Sequence, residues 1–245
     1  MSSAREFHAA WRGLPVGSPG EITGGGTCLV LAPHPDDESL GCGGLIAACA
    51  GAGRPPLVAI LTDGAGSHTQ SRAFPPERLR AVRAQEARQA VAALGLAGDR
   101  VAFLEQPDTA APHDGPAFDA VVARLLALVQ GEAACTAILA PWRHDPHCDH
   151  EAASLVAAVV AKAVGIRHIA YPVWGWTLSD DTAIPGDPGP GWRLDIAAFL
   201  AAKQNAIRAH QSQYGGLIDD DPAGFRLPAA LLAFFDSPWE TFLRT

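Results

Sequence analysis

The sequence predicts an α/β fold built around a mostly parallel sheet, and three observations carry that expectation. Short apolar runs end in turn or polar residues, as strands buried on both faces do. These runs alternate with longer segments of helical periodicity, the pattern of βαβ units. Hydrophobic residues make up 48% of the 245 residues, enough for a substantial core.

Taken in order, "TCLVLAP" (27–33) and "PLVAILTDG" (56–64) read as strands. "ERLRAVRAQEARQAVAALGL" (77–96) is a helix, with Leu79, Val82, Ala90, Val91 and Leu94 at roughly helical spacing and Gly95 suited to its C-terminal cap. A strand at 100–108, a helix at 117–131, a strand at 136–141, a helix at 149–165 and a strand at 168–174 follow. This succession predicts a Rossmann-like three-layer sandwich. Beyond Trp176 the pattern changes: 179–191 is a loop rich in Gly, Pro and Asp, and 192–213 reads as a short strand and a helix. The tail, with "PAALLAFFD" and "WETFLRT", is expected to pack back on the body. With no internal repeat and no linker, one domain is expected over 1–245, its core at about 27–213.

Composition narrows the function. Against 26 acidic residues stand 18 Lys and Arg, a net charge of −8, so nucleic acid and anionic lipid are unexpected partners. The N-terminus has no apolar signal-peptide core. "AASLVAAVVAKAVGI" is too short to span a membrane and contains Lys162. Cys28, Cys42, Cys49, Cys135 and Cys148 are odd in number and lack C-x-x-C spacing, which reads as reduced thiols in a cytoplasmic protein.

Two dense clusters carry the chemistry. "HPDDE" follows the first strand, Asp63 the second and Asp108 the third, while "PWRHDPHCDH" (141–150) follows the fourth. In an open parallel sheet these strand ends share one edge, where ligands bind. Adjacent carboxylates repel one another unless a cation compensates, and a His, Asp, His set suits a catalytic zinc with open positions. The simpler reading of "HPDDE", a turn followed by acidic residues in a helix's first turn, leaves the second cluster unexplained. "GCGG" (41–44) lacks dinucleotide-loop spacing and reads as small residues for close helix–sheet packing.

"PHPDDESLGCGG" and "HCDHEA", with "RAQEARQAVAALGL" between them, resemble the PIG-L/LmbE-like zinc N-deacetylases over roughly 27–175, with weaker echoes to about 213. The resemblance implies that His34, Asp37 and His150 bind Zn2+ and that Asp36 is the general base. It implies that His147 holds the oxyanion, that Asp149 orients or charge-tunes His147, and that Arg83 and Asp108 line the substrate pocket. The residues suit these roles: of two adjacent aspartates one ligates while the other takes a proton from water. His147 and His150, three apart at a helix start, can face one cavity, and a protonated His147 would stabilise charge on a carbonyl oxygen.

Other residues keep two readings. Arg83 and Glu86 could pair along their helix, Asp63 could be a turn residue, and Trp174 and Trp176 could form a sugar-stacking wall or pack in the core. His144 is a substrate or a surface-loop residue, His210 reads as structural, and the Cys148 thiol is expected to point away from the metal. The function the resemblance implies is removal of an acetyl group from an N-acetylated sugar or glycoconjugate of the N-acetylglucosamine type, a small-molecule partner, with self-association left open. Rival readings are a zinc amidase for another acylated compound, such as a thiol conjugate or an antibiotic intermediate, and a non-catalytic metal- or sugar-binding module. Asp36 and His147 argue against the last, since binding zinc needs neither.

Overall fold

The computed structural model describes residues 1–132 and 134–245. Its first half alternates strand and helix as expected: β2 (Thr27–Ala32), α3 (Asp37–Gly51), β3 (Leu57–Thr62), α4 (Pro76–Ala93), β4 (Val101–Gln106), α5 (Gly115–Gly131), β5 (Cys135–Pro141), α6 (Cys148–Val164) and β6 (Arg167–Tyr171). Before these lie β1 (Ser2–Ser3), α1 (Ala4–Arg12) and α2 (Pro19–Thr23). After them come β7 (Ala183–Ile184), β8 (Gly191–Asp195), α7 (Leu200–Ala209), α8 (Gln211–Tyr214), α9 (Ala229–Phe235) and β9 (Trp239–Arg244).

A seven-stranded sheet runs in the order β4-β3-β2-β5-β6-β9-β8. The pairs from β4 to β6 are all parallel, and β9 is antiparallel to both β6 and β8. The tail therefore does more than pack on the body: its last strand lies inside the sheet, which extends past the core expected at 27–213. A strand's side chains alternate between faces, and here both faces are buried. Cys28, Val30 and Ala32 of β2 join Val58 and Ile60 in a core beneath α3, α4 and α7. Leu29 and Leu31 join Ala59 and Leu61 on the other side, beneath α5 and α6. That makes three layers, a mixed and mostly parallel sheet between two helical layers.

The "GCGG" run lies within α3, as the sequence suggested. A Cβ on Gly41 would collide with the Tyr171 ring, and one on Gly44 with Ile196. The small residues thus let α3 sit close on β6 and on the segment after β8. The N-terminal elements went unforeseen although their caps are legible: Ser3 with Glu6, and Ser18 with Glu21, each form a reciprocal capping box. Helix α1 buries Phe7 and Trp11 against Trp142, with Trp176 packed beside them. Among the described residues no helix is long and apolar enough to cross a membrane.

Overpacking a filled core costs about 1–3 kcal/mol, so Gly41→Ala should lower unfolding free energy by that amount. Gly51 ends the same helix with open space around it, and Gly51→Ala should leave stability unchanged or raise it by up to about 1 kcal/mol. Denaturant unfolding of the two variants checks both signs.

Candidate active site

Chain order and sheet order diverge at β2. From β2 the chain moves through β3 to β4 on one side, then returns to β5 on the other. The loops leaving β2 and β5 consequently part at the carboxyl edge of the sheet and open a crevice, the place where such sheets bind ligands. Residues 33–36 leave β2 here, and residues 142–147 leave β5. Thr62 fixes the first loop by donating from both its backbone N–H and its hydroxyl to the Pro33 carbonyl, each at 2.9 Å.

His34, Asp37 and His150 meet in this crevice. Asp37 Oδ2 lies 3.1 Å from His34 Nδ1 and 3.3 Å from His150 Nε2. The far nitrogen of each ring is already committed. His34 Nε2 lies 3.0 Å from Asp149 Oδ2 and 3.3 Å from Asp108 Oδ1. His150 Nδ1 lies 2.8 Å from Asp145 Oδ2. Carboxylates only accept, so these outer nitrogens carry the ring protons. Three lone pairs then converge, His34 Nδ1, Asp37 Oδ2 and His150 Nε2, and they repel unless protons or a cation lie among them. His150 Nε2 is buried with no hydrogen-bond partner among the described residues. Two neutral imidazoles and one carboxylate, each histidine backed by a carboxylate, form a donor set that fits a divalent metal.

Without the metal, protons take its place. Burial works against charge on His34, yet Asp108, Asp149 and Asp37 hold its pKa well above the ordinary histidine value. Burial opposes His150 too, and Asp37 and Asp145 carry it to about 9. Asp37, against the effect of burial, is held well below the usual carboxylate range by His150 and His34.

His147 and Asp149 are differently engaged from what the sequence suggested. His147 is the N-cap of α6, and its Nδ1 accepts the Asp149 backbone N–H at 3.2 Å. A neutral ring with Nδ1 accepting carries its proton on Nε2, which makes His147 a donor rather than a ligand. Burial, then the charges on His34 and His150, push its pKa below the ordinary value, so the protonated His147 expected from sequence gives way to a neutral one. The Asp149 carboxylate does not bond the His147 ring, although its charge opposes the fall in the His147 pKa. Its carboxylate accepts from His34 Nε2, from the Thr109 N–H at 2.8 Å and from the Ala111 N–H at 2.9 Å. Asp149 therefore orients His34 and ties down the loop after β4. The thiol of Cys148 points to the Thr109 carbonyl at 3.4 Å. The groups whose ligand atoms all lie within 4.8 Å of one another are His34, His147 and His150, then His147, Cys148 and Asp149, and then His34, Asp108 and Asp149. Hydrogen bonding commits His147, Asp149 and Asp108; Asp37 Oδ2 accepts the His34 backbone N–H at 3.0 Å and is the carboxylate oxygen that faces both open imidazole nitrogens.

Asp36 sits beside this centre, 4% exposed, with Oδ2 3.2 Å from Arg83 Nη2. Burial pushes its carboxyl up to about 7, with Arg83 pulling the other way; a cation at the neighbouring site would pull it down further. Its backbone has φ 156° and ψ −28°, outside the regions L-residues favour, and its N–H donates to Glu38 Oε2 at 3.0 Å. Glu38 is anchored in turn by His210 Nε2 at 3.0 Å, which makes His210 a structural residue. Arg83 bridges two loops, donating to the Gly64 and Pro35 carbonyls at 2.9 and 3.0 Å. The alternative partner for Arg83, Glu86, instead accepts from the Ser212 N–H and hydroxyl. Asp108 accepts from the Gly66 N–H at 2.9 Å; burial favours its neutral form, but His34 holds the carboxyl down at about 2.

A cavity of about 350 Å3 opens above these groups, with His34, Asp36, Asp37, Arg83, Asp108 and His147 at its polar end. Trp174, Phe225 and Leu227 form an apolar wall, the two aromatic rings 5.8 Å apart. Trp174 is thus a wall residue and Trp176 a packing residue. Asp63 pairs with Arg80 at 2.7 Å and caps its own turn. His144 packs on Trp142. Sequence reading missed Asp145, whose position five residues before His150 was the available signal. It also missed Gln213 and Phe225, which follow the recognisable motifs and carry no local signal.

Fold and site together define an α/β protein with a carboxylate-backed His–Asp–His cluster at the switch point of its sheet. Residues 29–161 match the sequence model of PIG-L: GlcNAc-PI de-N-acetylase, more than half of the chain, and the protein belongs to that family. No curated protein matches the sequence. N,N'-diacetylchitobiose deacetylase from Pyrococcus horikoshii, complexed with its inhibitor MPG, is similar at TM-score 0.68 and 21% identity, over 98% of this chain and 91% of that one. The conserved protein TT1542 from Thermus thermophilus gives TM-score 0.61 and 25% identity, over 88% of this chain and 93% of its own. GalB, the 4-carboxy-2-hydroxymuconate hydratase from Pseudomonas putida, gives 0.58 and 20%, over 75% and 78%. These likenesses are to the fold.

Metal binding should displace the protons that His34 and His150 hold in the metal-free site. Calorimetric titration of the metal-free protein with Zn2+ near pH 7, in buffers of different ionisation enthalpy, should show release of about two protons per metal. Affinity should climb as pH rises through about 9, where His150 loses its extra proton, and keep climbing until His34 has lost its own. Binding heats that are independent of buffer would refute this account of the site. Asp145→Asn should weaken metal affinity about 10- to 100-fold, because it removes the acceptor that orients His150.

Proposed function

We propose that this protein is a zinc-dependent N-deacetylase that hydrolyses the acetamide of an N-acetylated sugar or glycoconjugate of the N-acetylglucosamine type. The observation that carries the reading is the convergence of three unshared lone pairs with two further groups at one cavity floor: a buried carboxylate, Asp36, and an imidazole N–H, His147 Nε2. Metal binding alone would use only the first three. Family membership supports the reaction class, and the deacetylase from Pyrococcus horikoshii shows that the fold supports this chemistry on an acetylated amino sugar.

His34 through Nδ1, Asp37 through Oδ2 and His150 through Nε2 would hold the zinc. Zinc bound there supplies Lewis acidity, lowering the pKa of water towards about 7 and polarising a carbonyl. Asp36 takes the proton of the attacking water, and Arg83 with Glu38 fixes its position. A carboxylate held beside the metal can take that proton and return it to the leaving amine, which splits amide cleavage into two manageable transfers. The Nε2–H of His147 donates to the carbonyl oxygen as it gains negative charge, with no need for the ring itself to be charged. Asp149 and Asp145 keep the ligand rings in the required tautomers. Asp108, hydrogen-bonded to Gly66 and near His34, lines the substrate side with Arg83. The five cysteines are free, which suits a reducing compartment, and a cytoplasmic location is part of the proposal.

Asp36→Asn should retain zinc by elemental analysis yet lose about 100- to 10,000-fold in kcat for amine release from N-acetylglucosamine derivatives. Near-normal turnover would remove Asp36 as the base. Asp149→Asn should act on the metal, lowering zinc affinity about 10- to 100-fold through His34. Wild-type zinc affinity in the folded variant would remove Asp149 as the residue that orients His34.

A further inference from the structure

Gln213 lies in α8, where the resemblance to the family fades, and is 0% exposed although its side chain forms part of the cavity wall. The orientation of its amide follows from its neighbours. Nε2 lies 3.1 Å from the Ser212 hydroxyl and 3.2 Å from the Ser67 hydroxyl. Ser212 has a single hydroxyl proton and gives it to Glu86 Oε2 at 2.6 Å. It can therefore only accept from Gln213, and the group facing it must be the NH2. The Ser67 hydroxyl has the His68 Nδ1 at 3.1 Å and the Gly64 carbonyl at 3.4 Å for its proton, and so accepts from Gln213 as well. With both amide protons taken, the carbonyl oxygen Oε1 is turned away from the two serines, and it has no donor among the described residues.

A buried acceptor left unpaired costs free energy that a ligand donor recovers. The segment that carries Gln213 is held firmly enough for such selection. The Leu227 N–H donates to the Gln213 carbonyl, the Phe225 N–H donates to the Ser67 carbonyl, and Asp220 accepts from Ser71, Arg72 and Ala73. The same cavity is lined by Trp174 and Phe225, flat surfaces that suit the C–H face of a ring. One apolar face and one row of hydroxyl donors describe a pyranose.

We propose that Gln213 is a specificity-determining residue, its Oε1 accepting a hydrogen bond from a substrate hydroxyl while the sugar ring lies along Trp174 and Phe225. This rests on the deacetylase reading, since the acetamide end must lie at the metal for the hydroxylated end to reach Gln213. The site then selects against acetamides that lack the hydroxyl, because they leave Oε1 unpaired, and discrimination of this kind is stronger than a hydrophobic pocket provides.

The test compares zinc-loaded full-length wild type with Gln213→Met on three probes: N-acetylglucosamine, its monodeoxy analogues, and N-cyclohexylacetamide, which carries the same amide on a ring without hydroxyls. Equal zinc content and equal thermal unfolding establish that the variant is folded. Gln213→Met should lose about 10- to 100-fold in kcat/KM on N-acetylglucosamine and keep wild-type kcat/KM on N-cyclohexylacetamide. One monodeoxy analogue should be cleaved equally by both proteins. An equal loss on both amides would mean that Gln213 only supports the fold, and no loss on either would mean that no hydroxyl reaches it; each result overturns the proposal while leaving the deacetylase reading intact. Wild type that releases amine from none of the probes defeats the deacetylase reading, and this proposal falls with it. If Gln213→Met does not fold, the monodeoxy series on wild type decides: one analogue slower by about 10-fold or more is required, and a series in which every hydroxyl is dispensable overturns the proposal.

Discussion

Asp37 faces two imidazole nitrogens, and the three groups meet without repulsion only when extra protons or a cation lie among them. His34 and His150 have each spent their ring proton on a carboxylate behind them, so what they present to Asp37 is a lone pair on either side of another. Everything else at this edge of the sheet is arranged around that conflict. Asp149 and Asp145 enforce the tautomers. The loop after β4 is tied to Asp149, the loop after β6 to Asp145, whose carboxylate also accepts the Val173 and Trp174 N–H groups. Four strand ends are thereby fastened to one cluster of side chains. A protein that needed only a stable crevice would gain from replacing these buried charges with apolar side chains; their retention makes sense when a metal completes them.

The same arrangement explains why the reacting groups sit where they do. Asp36 precedes Asp37 on the loop from β2, and the unusual backbone torsions at Asp36 set the neighbouring carboxylates to different tasks. Asp37 turns towards the histidines and Asp36 towards Arg83. Residues held in sparsely populated backbone regions cost about 1–3 kcal/mol and persist where surrounding contacts over-determine them. Here Glu38, His210 and Arg83 supply those contacts, from the N-terminus of α3, from the chain after α7 and from α4. The deacetylase and the hydratase that share this fold show that the sheet alone does not fix the reaction. The side chains around the metal position, and the wall above it, decide the chemistry.

The parallel half of the fold was legible because β2, β3 and β5 are short apolar runs and the helices between them have clear periodicity. His34, Asp37 and His150 were placed together for a simple reason: consecutive parallel strands deliver their ends to one edge. The partner of Asp149 was not legible. Adjacency to His147 suggested a local pair, but the start of α6 turns the Asp149 carboxylate towards the β4 loop and leaves only its backbone N–H for His147. Arg83 and Glu86 show the same limit: spacing along a helix suggested a pair, yet each is buried against a different partner. Strand β9 was missed because its place between β6 and β8 depends on a long-range return of the chain. Gln213 and Phe225 were invisible because their role comes from the closure of the C-terminal segment over the cavity.

X-ray absorption at the zinc edge of the zinc-loaded protein tests the central claim most directly. The account predicts two histidine nitrogens and a carboxylate oxygen at about 2.0–2.2 Å, and no sulfur. A third imidazole would place His147 on the metal, and a sulfur shell at about 2.3 Å would place Cys148 there. Either result would contradict the assignment of His34, Asp37 and His150 as the ligand set.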